Sequence, residues 1–209
     1  MAEADLKLYD QAHLFDHLTT KQRQILAAAI DVFAEVGYAN ASTKLVAQQA
    51  GVAEGNLFAK FKNKAGLLDA ILQPVMTQIL PKIFNDFVEI KADTAPKDLE
   101  ALIQSLVAER LTFLMANAKV LKLLFSELAY SQARRDQLAQ AIPPAQLARM
   151  AQIFEALKQR GVLVDWPNAE IFQTLWSLLG GAAVNYLFYQ QVPDSKQLTR
   201  TMLKVLRPE

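Results

Sequence analysis

Apolar residues recur at three- and four-residue steps along nearly the whole chain, and no segment alternates with period two. The pattern predicts an all-α protein. Ile25, Ala29, Val32, Phe33 and Val36 form the first strong stripe, and Gly37 follows in the position of a helix C-cap. Ser42 stands as N-cap to a short run, Thr43 to Ala50; Gly51-Val52 interrupts it, and a third run continues from Glu54 to Phe61. Asn63 is placed to cap a fourth helix that carries Leu67, Leu68, Ile71 and Leu72 and ends near Pro74. Beyond it the helices lengthen. Pro81 kinks or starts one running through Ile83, Phe84, Phe87 and Val88. Pro96 introduces another, striped by Leu99, Leu102, Ile103, Leu106, Val107, Leu111 and Leu114. Val120 to Tyr130 comes next, with Ser131 to Ile142 as its extension. Pro143-Pro144 breaks the chain before a helix that ends at Arg160-Gly161; Pro167 opens the following helix at N1, and Asp194 caps the last.

Composition narrows the class. Of 209 residues, 52% are hydrophobic, enough for a sizeable core, which excludes a disordered chain. The absence of cysteine excludes disulfides, zinc–thiolate sites and thiol sensing, and fits a cytoplasmic location. The formal net charge is only +1, but it is unevenly spread. Residues 1–20 sum to −3, whereas residues 21–64 carry six Lys and Arg against three Asp and Glu. The expected division is an acidic N-terminal extension (1–20), a basic module (21–73) and a larger, nearly neutral block (74–209). Acidic residues after Met1 predict no targeting signal at the start of the chain. Residues 171–193 hold no charge, but Gln173, Thr174, Ser177, Asn185, Gln190 and Gln191 would be left unpaired in lipid. A buried helix or an oligomer interface is the better reading, and no membrane partner is expected.

The candidate chemistry is sparse. His13 and His17 are the two histidines, and no Ser–His–Asp or paired-carboxylate pattern survives helical placement, so an enzyme is not expected. His13 and His17 lie four apart beside Asp10 and Asp16, too few fixed ligands for a metal site, and no cofactor is expected. Residues 42–61 have helix-turn-helix spacing. Ala47 is small where two helices cross, Gly51 allows the turn, and Val46, Ala50, Val52 and Leu57 face inward. Spacing alone leaves two readings open: a DNA-binding pair, or a helix pair inside a bundle.

From about Gln24 to Leu72, with Gly37-Tyr38, Ala47, Ala50-Gly51-Val52, Gly55, Leu57, Phe61 and Lys64 at characteristic spacing, the chain resembles the N-terminal domain of tetracycline-repressor (TetR) type regulators. The resemblance implies a three-helix helix-turn-helix domain that binds double-stranded DNA, followed by a helical bundle that binds a small ligand and dimerises through its last two long helices. It places Ser42, Thr43, Lys44, Glu54, Gly55, Asn56, Phe58, Ala59, Lys60 and Lys64 at the DNA. Ser42 caps the second helix and its hydroxyl reaches toward a phosphate; Lys44 approaches the backbone or groove; Gly55 allows close approach; Asn56, Ala59 and Lys60 face bases or phosphates; Lys64 contacts a phosphate. Two residues depart from the family pattern. Ala53 stands where Ser is usual, forfeiting a cap worth about 1 kcal/mol. Phe58 stands where Tyr is usual and has no hydroxyl for a phosphate.

In the larger block, Phe84, Phe87, Phe113, Phe125, Phe154, Phe172 and Trp176 are candidate ligand contacts, with core packing as the simpler role for most. Arg110 and Glu127 lie on the apolar faces of successive helices and are expected to form a cross-helix ion pair, with ligand recognition as the other reading. Gly180, Ala183, Val184 and Leu187 make a small, apolar stripe expected at a homodimer interface. A twofold dimer presents two recognition helices about 34 Å apart to a palindromic operator. The function expected is a ligand-responsive transcriptional regulator, a repressor released by a small, largely apolar molecule. The alternative is a membrane-associated or ligand-binding helical protein without specific DNA binding.

Overall fold

The computed structural model describes residues 6–94 and 98–208, and of residues 90–94 the backbone alone. Pro96 and residues 1–5 lie outside the described residues. The elements run α1 (Lys7–Asp10), α2 (Thr20–Val36), α3 (Thr43–Ala50), α4 (Glu54–Phe61), α5 (Lys64–Pro74), a π-helical turn (Val75–Ile79), α6 (Leu80–Thr94), α7 (Leu99–Ala116), α8 (Ala118–Tyr130), α9 (Gln132–Ala141), α10 (Pro144–Gln159), α11 (Asn168–Tyr189) and α12 (Ser195–Leu206). Among the described residues every regular element is helical.

The expected caps are in place. The Ser42 side chain accepts from Leu45 N–H, the Asn63 side chain from Gly66 N–H, and the Asp194 side chain from the N–H groups of Lys196 and Gln197. Thr19 and Gln22 form a reciprocal capping box that begins α2 five residues before its apolar stripe. Pro167 is the N-cap of α11 and not its first helical residue. Ser131, with extended backbone, separates α9 from α8, so the stretch to residue 142 is not a continuation of α8. α5 ends at Pro74, but no gap follows. The chain passes through the π turn into α6, with the Thr77 hydroxyl donating to the Gln73 carbonyl at 2.9 Å, and Pro81 falls within the first turn of α6.

The chain forms two compact units that do not follow the linear division at residue 73. The first takes in the residues through Leu80 and also Asn117–Ala141; the second consists of Pro81–Ala116 and the residues from Ile142 onward. In the first unit α2 is the central element, packed against α3, α5 and α8, with Ile25, Leu26, Ile30 and Phe33 buried. Lys122 of α8 donates to the Ala34 carbonyl at 2.9 Å, satisfying an acceptor at the C-terminal end of α2, and Lys119 pairs with Asp31.

The segment before α2 belongs to this core. Leu6, Leu8, Tyr9 and Phe15 are buried, and the rings of Tyr9 and Phe15 stack with centroids 4.2 Å apart. The Tyr9 hydroxyl donates to the Ile71 carbonyl at 2.9 Å, and Arg23 clamps the Asp10 carboxylate at 2.6 and 2.7 Å. In the second unit α7 packs against α11 and α12, and the Val164 N–H bonds the Leu206 carbonyl at 2.9 Å, fastening the loop before α11 to the end of α12.

Tyr9→Phe is expected to lower unfolding free energy by about 1–2 kcal/mol in denaturant titration, because the Ile71 carbonyl loses its donor inside the core. Burial raises the Tyr9 phenol above its ordinary pKa of 10.0. Above that pH the unfolded chain therefore ionises before the folded one, and stability falls. Tyr9→Phe should flatten this alkaline decline.

Candidate nucleic-acid interface

The helix-turn-helix is built from α3, the turn at Gly51-Val52-Ala53, and α4. Gly51 adopts φ 66°, ψ 33°, the left-handed conformation that ends α3 without steric cost only for glycine. Its N–H and that of Val52 return to carbonyls of the last turn of α3. Val46, Ala47, Leu57 and Phe61 are buried, so the two helices are anchored by one face each. A second glycine is fixed by packing. A Cβ on Gly66 would lie 2.0 Å from the Phe61 carbonyl oxygen, where the chain reverses between α4 and α5.

The outward face of α4 presents Gly55, Asn56, Phe58, Ala59 and Lys60, all exposed, with Lys44 and Leu45 exposed on α3. A Cβ on Gly55 would meet nothing within 4 Å, so this glycine is not required by packing within the unit. Ala53 offers no side-chain cap to α4. Glu54 partly compensates, placing a carboxylate in the first turn, where the helix dipole favours it.

Several expected site residues are occupied within the protein. The Thr43 hydroxyl donates to Glu54 Oε1 at 2.6 Å, tying α3 to α4 and committing the one hydrogen Thr43 can give. Lys64 points away from solvent. Its ammonium donates to the carbonyls of Tyr38, Ala39 and Ala41 at 2.9, 3.2 and 2.9 Å and lies 4.5 Å from the centroid of the Tyr38 ring. An ammonium has three hydrogens, and all three are used. Lys64, expected at a phosphate, thus closes the loop between α2 and α3 within the unit. The Tyr38 phenol is raised above its ordinary pKa, chiefly by burial, then by the charges of Glu127 and Asp69.

The expected Arg110–Glu127 ion pair is corrected as well. Glu127, in the first unit, pairs with Arg134 at 3.5 Å, and Arg134 also bonds Asp69 at 2.9 Å, so one guanidinium links α5, α8 and α9. Arg110, in the second unit, sits over the Phe87 ring at 5.2 Å and reaches the Ile83 carbonyl at 3.4 Å. Burial holds its pKa below the ordinary value, and the negative charge of neighbouring Glu109 opposes that shift.

The remaining ligand candidates are divided between the units. Phe125 lies in the first. In the second, Phe84 meets Phe172 edge-on at 6.3 Å and Phe172 stacks with Trp176 at 6.5 Å, Phe154 is buried, and Phe113 is half-buried. The α11 stripe is split. Ala183 and Leu187 are buried inside the unit, while Gly180 is partly exposed and Val184 exposed. The exposed apolar surface of α11 runs instead through Trp176, Val184, Phe188 and Tyr189. Among the described residues no group of three His, Cys, Asp or Glu side chains is arranged to hold a metal, and His13 bonds Asp16 at 2.9 Å.

The match to known proteins falls on this same region. Residues 25–71 match the family model described as bacterial regulatory proteins, tetR family. The chain is 36% identical over 85 residues to the fatty acid metabolism regulator protein of Bacillus subtilis (strain 168), a stretch covering 41% of this chain and 42% of that protein. The match therefore spans less than half the length of this relative.

Two solved structures share the fold over most of the chain. NalD of Pseudomonas aeruginosa, the secondary repressor of a multidrug efflux pump, has a TM-score of 0.61 at 20% identity, covering 90% of this chain and 96% of that one. FadR of Bacillus subtilis in complex with stearoyl-CoA has a TM-score of 0.56 at 19% identity, covering 87% and 95%. The chain carries a tetR-type helix-turn-helix domain on the all-helical fold of such regulators. What residues 25–71 share with the tetR family of bacterial regulatory proteins is this domain.

Lys64→Met is expected to lower unfolding free energy by about 2 kcal/mol, because three carbonyls lose a charged donor. Denaturant titration reads the loss. An undiminished stability would return Lys64 to the role of a free surface cation.

Proposed function

We propose that this chain is a ligand-responsive, homodimeric transcriptional regulator of repressor type, working in the cytoplasm on a palindromic DNA operator. The observation that carries the reading is the outward face of α4: Gly55, Asn56, Ala59 and Lys60 stand clear of the unit while Leu57 and Phe61 hold the helix down. Asn56 has the paired donor and acceptor that match adenine in the major groove, and Ala59 supplies a small apolar surface of the kind that meets a thymine methyl. Lys44 and Lys60 neutralise phosphates. Phe58 packs against sugar or a base edge without the hydroxyl that would bond a phosphate. Ser42 caps α3 through its oxygen and keeps its own hydrogen for a phosphate.

Dimerisation is proposed for the exposed apolar face of α11, where Trp176 is 61% and Phe188 41% exposed. Among the described residues α11 alone is long and apolar enough to cross a membrane, with a mean hydropathy of 1.2. Its exposed Gln173, Ser177 and Asn185 would meet lipid unpaired, which favours a second copy of the chain as the partner. The effector site is proposed for the second unit, with the aromatic side chains Phe84, Phe87, Phe113, Phe154, Phe172 and Trp176 as apolar contacts. Arg110, a partly buried cation over the Phe87 ring, is its polar anchor. A fatty acyl group fits that combination and agrees with the names of the B. subtilis proteins. The backbone crosses between the units at residues 80–81, 116–117 and 141–142, so a shift within the second unit reaches the first through three covalent paths. Only an effector with different affinity for the two arrangements will release DNA.

The test is selection of a binding site from a random duplex pool, followed by affinity measurements across salt. Lys44→Ala and Lys60→Ala should each weaken binding across sequences and reduce the salt slope by about 1. Asn56→Ala should cost about 1–3 kcal/mol of discrimination at a single base-pair position. An unchanged salt slope in both lysine variants would remove α3 and α4 from the interface.

A further inference from the structure

Charges in the second unit are generally matched. Lys82 pairs with Asp86, Arg149 with Glu89 and Lys158 with Glu155. The last helix breaks this habit. Lys196, Arg200 and Lys204 follow one another at four-residue intervals, which puts all three on one face of α12, about 6 Å apart along the axis. The helix contains no Asp or Glu, and like charges at this spacing repel. Among the described residues none of the three has an ion-pair partner. The nearest acids are otherwise engaged: Asp194 caps the helix through Lys196 and Gln197 N–H, and Glu100 accepts from Arg207 at 2.8 Å and from Gln104 at 3.1 Å.

The three cations border a groove of about 800 Å³ between α12 and α7, with Arg207 at its end. Val107, Ala108 and Leu203 give it apolar walls. The volume lies within the range of about 300–1,000 Å³ typical of small-molecule sites. Across the Glu100–Arg207 pair lies a second depression of about 710 Å³, lined by Asp98, Leu99, Ala101, Gly161, Val162 and Pro208, which adds no cation of its own. Positive charge is concentrated in the first groove, and Arg207, which both share, is the one cation lining the second.

We infer that the α7–α12 groove binds a small molecule bearing two or more phosphate groups and an organic body, of the nucleotide or coenzyme class. Phosphates take up the unpaired Lys and Arg donors, Arg200 being suited to bidentate contact, and the organic part lies on Val107, Ala108 and Leu203. The inference concerns α12 and does not depend on the DNA reading of α4.

Isothermal titration of the full chain with coenzyme A, ADP and inorganic pyrophosphate tests it. One molecule of coenzyme A or ADP should bind per chain, more tightly than pyrophosphate, and more weakly as salt rises. The triple variant K196Q/R200Q/K204Q, altered only at exposed positions, should lose at least 30-fold in affinity with an unchanged circular dichroism spectrum and melting temperature. The double variant K44Q/K60Q should bind coenzyme A like the native chain whatever happens to its DNA affinity. Absence of binding by the native chain, or equal binding by the triple variant, overturns the site. A triple variant that loses duplex DNA affinity, beside a native chain that ignores all three probes, assigns the stripe to nucleic acid and overturns it equally.

Discussion

An eight-residue helix cannot stand alone in water, and the candidate interface is made of two such helices. What holds α4 is the burial of Leu57 and Phe61, four residues apart on one face. That burial decides the rest of the site. With those two side chains fixed inward, Gly55, Asn56, Ala59 and Lys60 have no course but outward. α4 lacks a side-chain N-cap at Ala53, so the Thr43–Glu54 hydrogen bond becomes a substitute tether between the two helices. The reverse turn into α5 closes so tightly that residue 66 must be glycine. The surface offered to a partner is the residue of these constraints, more than a selection of individually placed polar groups.

The first unit extends well beyond a minimal helix-turn-helix. Tyr9 and Phe15 fill one side of the core, while α8 and α9 return from later in the chain to bind α2 and α5 through Lys119, Lys122 and Arg134. Arg134 is only 14% exposed and faces both Asp69 and Glu127, so its desolvation is offset by two carboxylates. Residues 117–141 therefore link the candidate DNA-binding helices physically to the remainder of the sequence.

Sequence patterns revealed what is local and periodic. The caps at Ser42, Asn63 and Asp194, the left-handed turn at Gly51 and the inward faces of α2 to α5 each depend on residues within one or two turns of one another, and all were legible. Pairings across 65 to 88 residues, such as Arg134 with Asp69 and Lys119 with Asp31, leave no periodic trace, because a surface-compatible charge looks alike whatever its distant partner. The Arg110–Glu127 expectation failed for this reason: sharing an apolar face showed that both are drawn inward, but not toward whom. Lys64 is a different case. Its number and charge suit a phosphate contact, and only the path of the loop from Tyr38 to Ala41 shows three carbonyls converging on it.

α11 shows how far a stripe of small residues can be taken. Gly180, Ala183, Val184 and Leu187 follow at three- and four-residue steps on one side of the helix, and the structure turns the centre of that side, Ala183 and Leu187, toward its own core. What remains outside is larger and more aromatic: Trp176 and Phe188 flank Val184 on one side, and Tyr189 is exposed at the end of the helix. An isolated exposed apolar residue requires no explanation, but several in register on a helix without charge from Ile171 to Pro193 do. Polar side chains at Gln173, Ser177 and Asn185 share that flank and need hydrogen-bond partners. A protein surface can provide both apolar contact and those partners, whereas a hydrocarbon layer provides only the first. The mixture of residues on α11, more than its mean hydropathy, thus favours a protein partner over lipid.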